Sequence, residues 1–216
     1  MKVLLEKREI REGLRALELS VEDVLNEAIR ICEIPAPTFE EAERGRYVAE
    51  RMRAIGLEEV STDAVGNVRG TLSGNPDFPT VLVMAHLDTV FGREIPITVR
   101  REGEYIYGPG IADNSLAIAA MLQVAQTMHR LPKAERGTLI FVANVGEEGL
   151  GDLRGAKHLW QTDGERVDVW VALEGGMLGG AEVQGVGSRR LQISYHTESG
   201  HSWVNFGIPS AIHSLG

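Results

Sequence analysis

Four short segments of this 216-residue chain carry the side chains that could do chemistry together. They are His86-Leu87-Asp88, Asp113-Asn114, Glu147-Glu148 and Glu174. One imidazole and several carboxylates form a set able to hold a metal cation and move a proton. His86 and Asp88 stand two residues apart, so on an extended segment their side chains point the same way. A carboxylate beside a ligand histidine can hold the ring and fix its tautomer. Glu147 and Glu148 are adjacent, and neighbouring carboxylates repel unless something positive compensates them. Beside a metal, one of them can bind the cation while the other handles a proton. Glycines at 146, 149 and 151 would let the backbone bend closely around such a centre. Each segment also has a plainer reading: a hydrogen-bonded histidine after a strand, an Asp113 that caps a helix, a solvated Glu-Glu turn. The metal reading gains its weight from their recurrence at successive strand ends.

For these segments to meet, the elements before them must end in one place. Three apolar, β-rich runs precede them: TVLVMA (80–85), TLIFVAN (138–144) and VDVWVAL (167–173). Their composition predicts strands buried on both faces, as in the centre of an α/β sheet. The first runs into His86, the second into Glu147-Glu148 and the third into Glu174, and the carboxyl ends of parallel strands are the usual place for a site. Gly108-Pro109-Gly110 then leads to Asp113 at the start of a helix predicted over 114–129. Upstream, helices are predicted over 1–20, over 21–34 with Ser20 as its cap, and from Thr38 to about Ile55. Pro35 and Pro37 end the second, Thr38 with Glu41 reads as a capping box for the third, and Gly56 stops it. Strands at 59–63 and 68–72 flank a Gly66-Asn67 turn, and a short helix is expected at 155–161. This order predicts the α/β class, with a mostly parallel sheet flanked by helices. After Gly175-Gly176 further glycines loosen the chain, and SRRLQISYH (188–196) alternates like a half-exposed strand. A boundary is expected near 185, with a catalytic domain over 1–184 and the start of a small α+β lid over 185–216.

The bulk numbers narrow the function classes. Hydrophobic residues at 43% and charged residues at 25% are ordinary for a soluble globular protein, so a normal core needs no disulfide framework. A formal net charge of -9 argues against nucleic acid and against an anionic membrane surface as partners. The single cysteine, Cys32, excludes an intramolecular disulfide and a cysteine-rich zinc motif. A cysteine or serine hydrolase is disfavoured as well, since Cys32 has no catalytic partner near it in sequence and no Gly-x-Ser-x-Gly elbow is present. The N-terminus does not read as a signal peptide, and no apolar run reaches the roughly 18–20 residues that span a bilayer. The expected location is cytoplasmic.

Five stretches, AHLDTVF (85–91), GPGIADNSLAIAA (108–120), NVGEEGLGDLRGAKHL (144–159), ALEGG (172–176) and SGHSWVNFGIPSAIH (199–213), resemble the M20 family of zinc peptidases and deacylases in order and spacing as well as wording. Residues 34–67 are similar to that family's N-terminal region. The resemblance implies a site for two zinc ions, with cobalt or manganese as possible substitutes. His86, Asp113 and Glu174 would hold one zinc, Asp113 would bridge to the second, and Glu148 would bind the second. Asp88 would orient His86, and Glu147 would be the general base that takes a proton from a metal-bridging water. His201, in the lid, would reach the substrate carbonyl. The implied substrates are small peptides or N-acyl amino acids, with the peptidase T-like and aminoacylase-like branches nearest, and the implied full-length form is a homodimer through the lid.

Members of that family are nearly twice as long. Their chain returns after the lid to complete the catalytic domain and adds a final histidine to the second metal. This sequence reaches Gly216 without a histidine in that position, so the resemblance implies a weakened second site. The rival expectation is a truncated, catalytically incompetent fragment, or an interaction module, of such an enzyme.

Overall fold

The apolar runs become strands of one five-stranded sheet: β1 (Glu58–Thr62), β2 (Val68–Leu72), β3 (Val81–His86), β6 (Leu139–Asn144) and β7 (Val169–Ala172), in the order β1-β2-β6-β3-β7. A separate hairpin pairs β4 (Arg100–Glu102) with β5 (Tyr105–Tyr107). In this computed structural model residues 7–175, 179–185, 187, 189, 191–201 and 203–215 are described. The chain divides into two units, Met1–Gly176 and Met177–Gly216.

In the first unit β3 pairs parallel with both β6 and β7, while β2 runs antiparallel to β1 and to β6. Four of the five strands therefore point one way, and the mostly parallel sheet expected from the sequence is present. Alternation along the strands sends side chains to two faces. Phe141 and Ala143 of β6 join Ala85 of β3 on one face. They pack there against α2 (Val21–Cys32), α3 (Ala42–Ile55) and α4 (Leu116–His129) through Ile31, Met52 and Ile118. Ile140 and Val142 join Leu82 on the other face, against Leu159 of α5 (Arg154–Asp163). A sheet with helices on both faces has both apolar surfaces covered, which is why these runs carry little polar alternation. The remaining first-unit helix, α1 (Arg8–Leu19), contributes no buried residue.

Several expectations need correction. The 167–173 run is no strand buried on both faces: β7 is the last strand of the sheet, and its Val169 and Val171 are exposed. Thr38 does not cap α3, which starts at Ala42 with no side-chain cap bond. Ser20 precedes α2 but sends its hydroxyl back to the Leu17 carbonyl. The 114–129 helix becomes regular only at Leu116, because Asp113 and Asn114 have non-helical backbone angles. The β4–β5 hairpin carried no signal that the sequence reading used.

In the second unit, Ser188 and Arg190 of the expected strand lie outside the described residues, and Leu191 to His196 form no strand. The element present there is a short helix, α6 (Ala211–Leu215). No helix among the described residues is long and apolar enough to cross a membrane.

Candidate metal centre

The three parallel strands end level with one another. His86 is in register with Asn144, and Met84 with Ala172. Beyond the last rungs the Leu87 amide donates to the Asn144 carbonyl and the Leu173 amide to the Met84 carbonyl. His86, the Glu147-Glu148 pair and Glu174 thus emerge at one edge of the sheet. Asp113 arrives from the irregular turn Ile111–Ser115, tied to the same edge by the Asn114 side-chain amide, which donates to the Leu173 carbonyl at 2.9 Å. Gly175 permits this approach: a Cβ there would lie 2.6 Å from the Ala112 carbonyl oxygen.

The ring of His86 is almost fully buried, and both its nitrogens face oxygen acceptors. Nδ1 lies 3.0 Å from the Asp88 backbone carbonyl and 3.5 Å from the Asp88 carboxylate. Nε2 lies 2.9 Å from Asp113 Oδ1 and 3.5 Å from Glu174 Oε1. With acceptors on both sides the metal-free ring is favoured as a cation. Burial works against that charge, but hydrogen bonding and charge from Asp88 and Glu174 outweigh it and raise the His86 pKa to about 10.

Asp88 is fully buried, which opposes its ionisation. The opposing influences are stronger: His86, the amides of Glu147 and Glu148, and the Thr38 hydroxyl together hold its pKa down to about 2. Its Oδ1 accepts from the Glu147 amide and its Oδ2 from the Glu148 amide, each at 3.0 Å, while Thr38 Oγ1 donates to Oδ2, also at 3.0 Å. Asp88 therefore meets the His86 ring chiefly through its backbone carbonyl and spends its carboxylate on the Glu147-Glu148 backbone.

The remaining carboxylates divide by environment. Burial, with the charges of Glu174, Asp88 and Asp113, pushes the Glu147 pKa up against the pull of His86. Glu148 is raised by burial and by Asp113 and Glu147. Glu174 is partly buried, but bonds from His86 and the Gly175 amide leave its pKa lowered. Asp113 and Glu174 are the exposed members, at 58% and 51% side-chain exposure, against 2% for His86 and 0% for Asp88.

Two sets of donor atoms lie within 4.8 Å of one another: His86 with Asp113 and Glu174, and His86 with Glu147 and Glu148. This donor chemistry fits a divalent metal. The atoms are imidazole nitrogen and carboxylate oxygen, the ligands that zinc, cobalt and manganese accept. Burial first, and neighbouring carboxylates second, raise the pKa values of Glu147 and Glu148, and a cation would offset the repulsive part. Nε2 of His86 faces Asp113 and Glu174 together, so a cation there would be served by this nitrogen and both carboxylates.

The structure thus brings together His86, Asp88, Asp113, Glu147, Glu148 and Glu174, and Asp113 makes no helix-capping bond. His201 belongs to the second unit, where its Nδ1 accepts from the amides of Trp203 and Val204 and its own amide donates to Asn205 Oδ1. The sequence reading missed Thr38 as a partner of Asp88. Its signal was present but pointed elsewhere, since a Thr-x-x-Glu pattern before a helix reads as a capping box.

The model of Peptidase family M28 matches residues 67–203. A putative LysW-lysine/LysW-ornithine hydrolase of Pyrobaculum aerophilum is 30% identical over 130 residues, covering 60% of this chain and 34% of the relative. Peptidase T of Shouchella clausii is 26% identical over 204 residues, covering 76% of this chain and 48% of the relative. Among solved structures, a tripeptidase of Staphylococcus aureus superposes with a TM-score of 0.57 at 26% identity, covering 70% of this chain and 42% of that one. The chain spans half or less of the length of each of these proteins.

Proposed function

The chain belongs to peptidase family M28, and from that premise we propose that its histidine–carboxylate cluster holds divalent metal, with zinc the expected ion, for hydrolysis of an amide bond in a small peptide or N-acyl amino acid. The observation that carries this reading is the meeting of two donor triads that share His86 at the carboxyl ends of parallel strands. Peptidase T and tripeptidase among the relatives support an M20-like exopeptidase branch.

In this reading His86, Asp113 and Glu174 would hold one ion, and Glu148 together with Asp113 would hold a second, while Glu147, which lies in the second donor set, is kept for the proton. When bound, such ions polarise the scissile carbonyl and make the attacking water more acidic. Glu147 is the proton carrier: its carboxylate takes a proton from the attacking water and returns it to the leaving nitrogen. Burial raises its pKa, the direction in which a carboxylate is tuned for general acid–base work. Asp88 fixes the Glu147 and Glu148 backbone with one carboxylate.

The test is a zinc titration of this chain, joined to a hydrolysis assay of the full-length enzyme on dipeptides, tripeptides and N-acyl amino acids. Glu147→Gln is expected to keep zinc within about threefold while losing at least about 100-fold in kcat, the low end for a general base. An active Glu147→Gln enzyme would sink the proton-carrier role, and a wild-type chain that takes up no zinc would sink the metal site.

A further inference from the structure

Past the end of β6 the backbone leaves the sheet, and four successive amides lose ladder partners. Each nevertheless meets a side-chain oxygen at 3.0 Å. Val145 donates to Asn67 Oδ1, Gly146 to Glu41 Oε1, Glu147 to Asp88 Oδ1 and Glu148 to Asp88 Oδ2. Buried amides need acceptors, but here the acceptors come from three distant places in the chain. Glu41 lies 105 positions from the amide it serves.

Glu41 is itself held. Its side chain is 4% exposed, and the same Oε1 that accepts from Gly146 accepts from Arg154 Nη2 at 2.7 Å. Arg154 is fixed in turn by its Nη1 on the Val65 carbonyl at 3.0 Å and by its guanidinium 5.3 Å above the Phe39 ring. A buried carboxylate without such a partner would be strongly unfavourable, so the ion pair is what allows a charged acceptor at this spot.

The position of the bond gives it a role. Gly146 has φ +62°, a conformation that glycine enters freely, and it directly precedes Glu147. The two Asp88 bonds hold the following amides through one carboxylate. Backbone carbonyls of the same segment accept from the Arg154, Gly155 and Gly151 amides, and the Glu41 bond at the preceding amide adds a buried side-chain anchor directly before Glu147. We propose that Glu41, locked by Arg154, is a positioning residue that sets the Glu147-Glu148 pair opposite His86. The proposal rests on the metal-site reading for its functional meaning, though not for its structural content.

The experiment compares wild type, Glu41→Ala, Glu41→Gln and Arg154→Met in two measurements on the full chain: backbone amide exchange by NMR, and zinc affinity by competition with a chromophoric chelator. Glu41→Ala is expected to speed exchange at Gly146 and Glu147 at least about tenfold, leaving Phe141 within β6 unchanged, and to weaken zinc by about 10–100-fold, as for an outer partner of a metal ligand. Glu41→Gln, which keeps an oxygen for the Gly146 amide, is expected to recover most of both. A merely structural role would lower exchange protection across the sheet and leave the Gln variant no better than Ala. Unchanged exchange at Gly146 in Glu41→Ala, or faster exchange there with zinc affinity intact, overturns the proposal. Should Glu41→Ala not fold, Arg154→Met decides: it frees Glu41 to leave Gly146, and unchanged Gly146 exchange in that variant counts against the proposal. If the wild-type chain binds no zinc, the metal reading fails, and the exchange data alone judge whether Glu41 holds the loop.

Discussion

The floor and the rim of the metal centre are built from the same residue types under opposite conditions. On the floor, His86 and Asp88 are buried, and every polar atom named for them has a partner within the fold. On the rim, Asp113 and Glu174 are more than half exposed and reach the floor at His86 Nε2, with Glu174 also accepting from the Gly175 amide and bonded to Asp113. The floor carboxylate is a structural acceptor that orders the backbone, while the rim carboxylates are available to a ligand. The difference teaches that a shared residue type says little about a role until its partners are counted.

The largest expected effect comes from emptying the floor. Asp88→Ala leaves two amides and the Thr38 hydroxyl without their acceptor and removes the buried carboxylate charge beside the His86 ring, whose Nδ1 keeps only the backbone carbonyl, and breaking a buried charged network of this kind is worth about 3–5 kcal/mol. The urea midpoint of the metal-free variant should fall accordingly, and a fall no larger than that of a rim variant would erase the distinction.

His86→Ala tests the point where floor and rim touch. Because both donor triads share this ring, zinc affinity should fall by more than the roughly 100-fold that follows loss of an outer partner. A chelator-competition titration reads this directly, and retention of tight zinc would show that the carboxylates suffice.

A pH titration of the metal-free chain separates the groups further. Asp88, at about 2 in the fold, lies below its unfolded value, so its stabilisation is present above about pH 4 and is lost as pH falls towards 2. His86, at about 10, lies above its unfolded value, so its contribution is complete below about pH 6.5 and is lost as pH rises through 10. Glu147 and Glu148, whose values are raised, also withdraw stability as pH rises past their unfolded range near 4.3. Thermal melts in chelator should therefore show stability falling as pH rises from about 6.5 to 10, and His86→Ala should flatten that limb.

The smallest effect on stability belongs to the rim. Glu174→Gln should cost less unfolding free energy than Asp88→Ala, because it changes a half-exposed carboxylate, yet weaken zinc by more than the roughly 10–100-fold that follows loss of an outer partner. A stability loss comparable to that of Asp88→Ala would place Glu174 on the floor.

Much of this centre was legible in the sequence because its signals are local. Apolar β-rich runs ending in His86, Glu147-Glu148 and Glu174 are consecutive residues whose period and composition declare strands and their ends. A site at the carboxyl ends of parallel strands follows from that order. Helix limits such as Gly56 are local too, since only the backbone geometry at one residue is at stake.

The tertiary structure decided what depends on partners far along the chain. Thr38 and Glu41 read as a capping box, but the helix starts at Ala42 without a side-chain cap. The fold turns Thr38 to Asp88 and Glu41 to Gly146, because the short bridge between Pro37 and Thr89 sets that loop beside the strand end. Asn67, read as a turn residue, is buried and serves Val145. Nor could composition tell that β7 is the last strand, since an apolar run reads the same in the middle of a sheet as at its side. Sequence determined which atoms could bind and where strands would deliver them. Only the fold decided which carboxylate would be buried to hold the backbone and which would face solvent, because burial and hydrogen-bond supply are properties of the whole packed chain.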